Sequence, residues 1–555
     1  MSEKSPYQIS SNEKKVSDVE ELDVSAGSIH SKQIYTETKQ GLKSRHVQII
    51  ALAGAIGTGL FVGSGAGLSK CGPAGLLTGY AILCIFVWFI MNLLSEMVTF
   101  IPLSGQVTVN ALCERYTGNK TMGFTAGINL YYAQAFLVPS EISAAAFVIQ
   151  YWNDQINVAA WIAIFWVSLV ALNFLAVQCF GEVEFWIGSI KVITISGLIV
   201  LGIVLFFGGG PNQHGVLGFH YWKEPGAFAE HLASSHKNTA RFLDVWTSLI
   251  KAGFAFIMGP ELIACAAAEA HAPRVNLPKA TSRFIYRLIF FYFMGPLTIG
   301  VIIAYNDDRL MGAIAAGSSG AAASPFVIGI QNAGIKVLNH IVNACILTSA
   351  YSSGNSYIYG SSRTLHSMAL KGDIHHVFAR CTKQGVPYVA VGLSACIALL
   401  AFLNVSSGSS KVFTWLSNLS TVSGFISWIF ISITYLRYRK ALAYHGVDDR
   451  VTFRPRFQIF GAYASIIFFT ILSLTNGYAV FFDFNAPDFV AAYITIPIII
   501  VVYICHMLWF RNFKLFSPPE EIDCISGLDE AERQEREYVA PVAKNFLEKI
   551  WFWIA

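Results

Sequence analysis

Gly54-Ala55-Ile56-Gly57-Thr58-Gly59-Leu60-Phe61-Val62-Gly63 lies in the middle of the first long apolar run, Val47 to Leu68. Each glycine in a helix interior costs about 0.5–1 kcal/mol relative to alanine and leaves backbone dipoles uncovered. In a membrane, such a cluster is accommodated where the helix breaks and its freed N–H and C=O groups line a polar cavity. Two half-helices meeting at a break aim a positive and a negative dipole end at whatever sits between them. A zwitterion matches that field. Close helix packing competes with this reading, but small-xxx-small packing needs small residues on one face only, and Gly57-Thr58-Gly59 wraps around the helix.

Of 555 residues, 54% are hydrophobic and 13% charged. With a mean hydropathy of +0.52, this is the composition of a polytopic membrane protein. Residues 1–43 are polar, with no signal-peptide pattern, and read as a disordered cytoplasmic tail. The ten cysteines show no C-x-x-C or regular His/Cys spacing, so buried free thiols are expected and no metal or disulfide framework.

Twelve spanning helices are expected in a transporter domain over residues 44–512: Val47–Leu68, Gly75–Ile101, Met122–Tyr151, Val158–Gln178, Phe185–Phe207, Val245–Ala268, Phe284–Ala304, Ile335–Tyr359, Tyr388–Leu403, Phe413–Leu436, Phe460–Phe482 and Phe489–Phe510. Cations gather in the connections after the sixth, eighth and tenth (Arg274, Lys279 and Arg283; Arg363, Lys371 and Arg380; Arg437, Arg439 and Arg450). Both termini are therefore expected in the cytoplasm, with residues 513–555 a second tail. The tail ends in Phe546–Trp553, read either as a membrane-surface segment or as an unstructured end. The sequons at Asn119 and Asn404 fall, in this topology, on the cytoplasmic side and against the membrane.

The sixth span repeats the theme of the first. In Lys251-Ala-Gly253-Phe254-Ala-Phe256-Ile-Met258-Gly259-Pro260-Glu261, Pro260 lacks an N–H and Gly259 loosens the preceding turn, so a second break is expected at Gly259–Pro260. Broken helices five spans apart are the pattern of inverted-repeat transporters. Charged groups inside spans demand partners, and Glu96, Glu141, Lys191, Lys251, Glu261 and Glu269 are the candidates. Glu96 and Glu269 sit near cytoplasmic ends, where a solvated or salt-bridged role is favoured. For Glu141, Lys191 and Glu261, proton coupling and a static buried pair both stay open. The eighth span, Thr348 to Ser356, and the tenth, Ser417 to Gly424, are too polar to face lipid all round, and one or two of their residues are expected at the cavity. No nucleophile–base pair, phosphate loop or nucleic-acid feature is present, which argues against an enzyme.

Gly41-Leu42-Lys43-Ser44-Arg45-His46-Val47-Gln48 followed by Gly54 to Phe61 resembles the entry to fungal amino-acid permeases of the amino acid–polyamine–organocation superfamily. Gly181-Glu182-Val183-Glu184-Phe185-Trp186, Phe254 to Glu269 and Gly385-Val386-Pro387-Tyr388 agree with it. Phe256 to Leu262, Ser324 to Lys336 and Asp488 to Thr495 are similar to its proline-permease branch. The resemblance implies an all-α, LeuT-like 5+5 inverted repeat with helices 1 and 6 interrupted and two helices added. It implies proton-coupled amino-acid uptake at the plasma membrane, with no cofactor beyond the proton. The substrate carboxylate would meet backbone N–H groups around Ile56, Gly57, Thr58 and Gly59, and its ammonium the carbonyls near both breaks. Phe254, Phe256, Met258 and Gly259 would face its side chain. Lys191, Lys251, Glu261 and Glu269 match family positions linked to transport, which with Glu141 makes five proton-coupling candidates. Gly259 departs from a serine in proline carriers, and Ala272 from a common asparagine. Ala-Ala-Ser324-Pro325-Phe326 also resembles the dicarboxylic branch, so a broader or acidic range is the alternative. An amino-acid sensor is disfavoured by the short N-terminal tail. Ubiquitylation machinery acting on Lys14, Lys15 and Lys32 is a partner the resemblance implies.

Overall fold

A computed structural model describes residues 49, 56–102, 109–153, 155–175, 177–233, 235–262, 273–315, 324–407, 409–538 and 545. The N-terminal tail with its lysines, Gly54, Glu269, Ala272 and Phe546–Trp553 lie outside the described residues.

Among the described residues the chain is built from helices, with no strand. Seven are long and apolar enough to cross a membrane: Gly59–Phe100, Lys120–Gln150, Cys179–Phe206, Lys237–Leu262, Arg274–Ile302, Lys411–His445 and Gln458–Phe481. Ala486–Tyr493 and Thr495–Trp509, bent by 46°, form a further pair, and Val158–Asn173 and Tyr388–Leu403 are shorter apolar helices. The polar eighth span is a helix of 33 residues, Leu338–Leu370. Lys120–Gln150 lies at the centre, packed between Leu338–Leu370 and Ser409–His445, while Ser64–Phe100 packs along Lys237–Phe256.

Local sequence explains where the helices bend. The expected gap between spans one and two is a kink: the backbone leaves the helix at Gly72 (φ 70, ψ 170), immediately before Pro73. Only glycine adopts that φ easily, and a Cβ there would lie 2.7 Å from the Ala227 carbonyl oxygen. The 227–229 segment fills the notch, with Ala74 N donating to Ala227 O at 2.9 Å. The second break falls two residues earlier than Gly259–Pro260. The Lys237–Phe256 helix ends at Ile257 (φ −61, ψ 142), Met258 takes φ 67, and Leu262 N donates to Met258 O at 3.0 Å as the helix restarts. Proline suits the first turn of a helix, where its missing N–H has no partner to lose, so Pro260 opens the second half and does not itself break the first.

Val177–Phe206 shows how one span serves two environments. Glu184, Lys191, Leu198 and Leu205 are buried, whereas Trp186, Ile193, Val200 and Phe207 are exposed. Both sets recur every seven residues, close to two helical turns, so one face meets the protein and the other is apolar enough for lipid.

The start of Lys120–Gln150 and the C-terminal segment are tied together. Asn119 caps Lys120–Gln150 by accepting from the N–H groups of Thr121 and Met122, and its amide donates to Lys514 O at 2.9 Å. It is 1% exposed. Asn404, also buried, donates to Ser143 Oγ at 2.6 Å. Both sequons therefore serve structure. The described part of residues 513–555 docks on the body: Ile522, Cys524 and Leu528 are buried, Arg115 Nη2 donates to Ser526 O at 2.6 Å, and Arg274 pairs with Glu535 at 2.7 Å. Arg450 pairs with Asp529 at 2.6 Å and with Glu532 at 2.7 Å. The buried Glu96 carboxylate pairs with Arg439 at 3.2 Å.

Candidate functional site

Ile56 and Gly57 are non-helical, and a helix begins at Thr58 with a π-helical turn over Gly59–Gly63. Four other elements close around this opening. Thr58 Oγ1 donates to Glu141 Oε1 at 3.0 Å, and Ser349 Oγ donates to the Ile56 carbonyl at 3.4 Å. Gly57 faces the same chamber, because a Cβ on it would stand 3.3 Å from Ser353 Oγ and 3.4 Å from Glu141 Oε1. Lys191 Nζ donates to Ser353 Oγ at 3.1 Å, and Ser352 Oγ donates to Glu184 Oε1 at 2.6 Å. Asn173 Nδ2 donates to Asn355 Oδ1 at 2.8 Å.

The chamber is buried and lined by ionisable groups. Glu141 is 2% exposed, and Lys191 and Glu184 are fully buried. Ions are costly at such depth unless neutralised by one another or by a proton. Tyr357 sits among Glu141, Glu184 and Glu261 as its charged neighbours, which links the acid after the second break to the same region. Glu261 is fully buried, and neither of its carboxyl oxygens has a hydrogen-bond partner among the described residues; the Trp428 indole lies beside it.

The helix start after Thr58 and the end of Lys237–Phe256 touch. A Cβ on Gly59 would lie 2.7 Å from Ala255 Cα, so the first helix and the sixth span approach backbone to backbone. Tyr292 Oη donates to Ala255 O at 3.1 Å, and the Phe256 ring stacks on Tyr292 at 4.3 Å and tilts against Tyr80 at 5.7 Å. Gly424 leaves room for the bend, since a Cβ there would meet Ile257 Cγ1 at 2.7 Å.

Of the residues expected at a site, Ile56, Gly57, Thr58, Glu141 and Lys191 converge. Gly59, Phe256, Met258 and Gly259 build the crossing and are buried. Phe254 is half-buried with its ring edge-to-face on Phe413 at 5.6 Å. Lys251 is elsewhere: its charged neighbours are Lys70 and Asp488, not Glu141 or Glu184. Two members escape sequence reasoning, Asn173 and Glu184. Asn173 gives no pattern of its own. In the sequence Glu184 reads as a residue preceding span five, but the helix starts at Val177, and the seven-residue step from Glu184 to Lys191 is the signal that reveals it. Among the described residues, no three His, Cys, Asp or Glu side chains gather as a metal site.

Residues 46–518 match the amino acid permease family. A proline-specific permease of Emericella nidulans is 49% identical over 522 residues, which are 94% of this chain and 94% of that one. A probable proline-specific permease of Schizosaccharomyces pombe is 49% identical over 551 residues, 99% of each chain. In three dimensions the chain is similar to the crystal structure of an Eremococcus coleocola manganese transporter, with a TM-score of 0.54 and 15% identity over 85% of this chain and 95% of that one. At that identity the likeness concerns the fold. The family match runs through every helix of the chamber, and the chain belongs to the amino acid permease family, as a multi-pass membrane carrier and not an enzyme.

Proposed function

We propose that this protein is an amino-acid:proton symporter that imports proline, and other small neutral amino acids to a lesser degree, across the plasma membrane. The observation that carries the reading is the crossing of two helix openings, at Ile56–Gly57 and Ile257–Met258, beside a buried acid bonded to Thr58. The backbone N–H groups at the helix start around Gly57, Thr58 and Gly59 suit an α-carboxylate, and the carbonyls near the two helix openings suit an α-ammonium. The clamp serves any amino acid. The choice of proline is supported by the relatives of that name and by apolar walls at Phe254 and Met258.

In this reading twelve spans form a LeuT-like 5+5 repeat with helices 1 and 6 interrupted, and both termini are cytoplasmic. Glu141 carries the coupling proton. Two carboxylates, Glu141 and Glu184, and the Lys191 ammonium in a buried chamber carry a net negative charge, and one proton neutralises it. The neutral, loaded chamber crosses between inward and outward access far more readily than the charged one.

Labelled-proline uptake in a permease-deficient cell, with unlabelled amino acids as competitors, tests the substrate. Competition by proline and small neutral amino acids supports the reading. Equal competition by glutamate favours the broader or dicarboxylic range, and binding without uptake favours a sensor.

A further inference from the structure

Glu184 lies inside the chamber, and the coupling scheme above counts its charge without giving it a role of its own. It is fully buried, on the same helical face as Lys191 and about 10 Å from it along the axis. Neighbouring hydroxyls hold the two residues, Ser352 on Glu184 at 2.6 Å and Ser353 on Lys191 at 3.1 Å. Glu141, held by Thr58 at 3.0 Å, is the other charged neighbour of Lys191. Each carboxylate thus has one oxygen engaged by a hydroxyl, while Glu141 Oε2 and Glu184 Oε2 are buried without a hydrogen-bond partner. An ammonium has three donors, and one Lys191 donor is used by Ser353. Asn355 and Ser356 beside Glu184 are neutral, and the charged or titratable groups around it are Lys191, Glu141 and Tyr357.

We propose that Glu184 is a positioning residue that shares Lys191 with Glu141, holding the ammonium while Glu141 takes up a proton from one side of the membrane and releases it to the other. The inference rests on the symport reading above. With the proton on Glu141, Lys191 and Glu184 form a neutral pair. With the proton gone, Lys191 is divided between two carboxylates and the chamber carries one uncompensated charge, so empty return without the proton is slow.

The test is the pH profile of initial proline uptake, normalised to surface abundance, for wild type, Glu184→Gln and Glu184→Asp. In Glu184→Gln, Lys191 pairs with Glu141 alone, and uptake needs a more acidic medium; the profile should move toward acid by about one pH unit, the scale of one close opposite charge. Proline KM should stay within about twofold. Glu184→Asp, which keeps the charge, should bring the profile back toward wild type. If Glu184→Gln does not reach the surface, the same pH profile is read from the purified variant in proteoliposomes. An unmoved Glu184→Gln profile, whatever its maximal rate, overturns the proposal. Failure of the symport reading looks different, because the wild type would then show no proton-driven uptake at all.

Discussion

The hydroxyl of Thr58 and the carboxylate of Glu141, 83 positions apart in the chain, meet at 3.0 Å in the buried interior. The contact joins the first residue after the helix opening to the acid proposed to carry the proton. Leaving a buried carboxylate without its donor costs about 1–3 kcal/mol. Thr58→Val, which is nearly isosteric, is expected to lower proline uptake about tenfold at unchanged surface abundance, whereas Thr58→Ser should retain most of it. Initial rates of labelled-proline uptake measure both; equal activity of the valine and serine variants would remove the contact from the mechanism.

Gly57 and Gly59 fail for different reasons. A side chain on Gly57 enters the chamber beside Ser353 and Glu141, so Gly57→Val should abolish uptake while the protein still reaches the surface. On Gly59 a single methyl meets the Ala255 backbone at 2.7 Å. Gly59→Ala should therefore lower stability by about 1–3 kcal/mol, the usual penalty for overpacking. Gly63→Ala, with nothing within 4 Å of its added carbon, should behave as wild type. Thermal unfolding of the purified variants separates the three.

Lys251 stands apart from the chamber, with Lys70 and Asp488 as its charged neighbours. Lys251→Met should leave the pH profile of uptake in place and act, if at all, on rate or KM. Glu141→Gln should flatten that profile. A flattened profile in Lys251→Met would bring the lysine back into proton coupling.

The docked C-terminal helix, Leu528–Glu537, has an acid dependence of definite sign. The hydrogen bonds from Arg450 hold Glu532 below the ordinary carboxyl range. A carboxyl favoured in its ionised form by docking contributes stability above its ordinary value of about 4.3, and that contribution fades as the pH falls through and below this value. Proteolytic nicking near Glu532 should thus be slow at neutral pH and faster in acid, and Arg450→Ala should be nicked readily at both. Nicking that ignores pH in the wild type would assign the docking to Ile522, Cys524 and Leu528 instead.

How much of the fold and the chamber is legible in the sequence depends on what each residue can signal alone. Gly57-Thr58-Gly59 announces an opening because three helix-weakening or polar positions in an apolar run are hard to reconcile with an unbroken span. Pro260 points to the second break but places it two residues late, since a proline that cannot continue one helix is equally good at starting the next. Whether Lys251 or Lys191 belongs to the chamber is hidden, because both are single lysines in apolar spans and only tertiary packing separates them. Glu184 is visible as half of a seven-residue pair, but the helix start at Val177 is needed to bring it into the membrane. The polar run from Ser349 to Asn355 in span eight signals the chamber wall, although not which hydroxyl serves which ion.

The most direct test of the whole account is proline uptake into proteoliposomes holding the purified protein, with an inward proton gradient imposed and then collapsed. The account predicts accumulation of proline above the external concentration while the gradient lasts, loss of it on collapse, and no gradient-driven accumulation by Glu141→Gln. Equal proline uptake with and without the gradient, or accumulation by Glu141→Gln matching wild type, would contradict it.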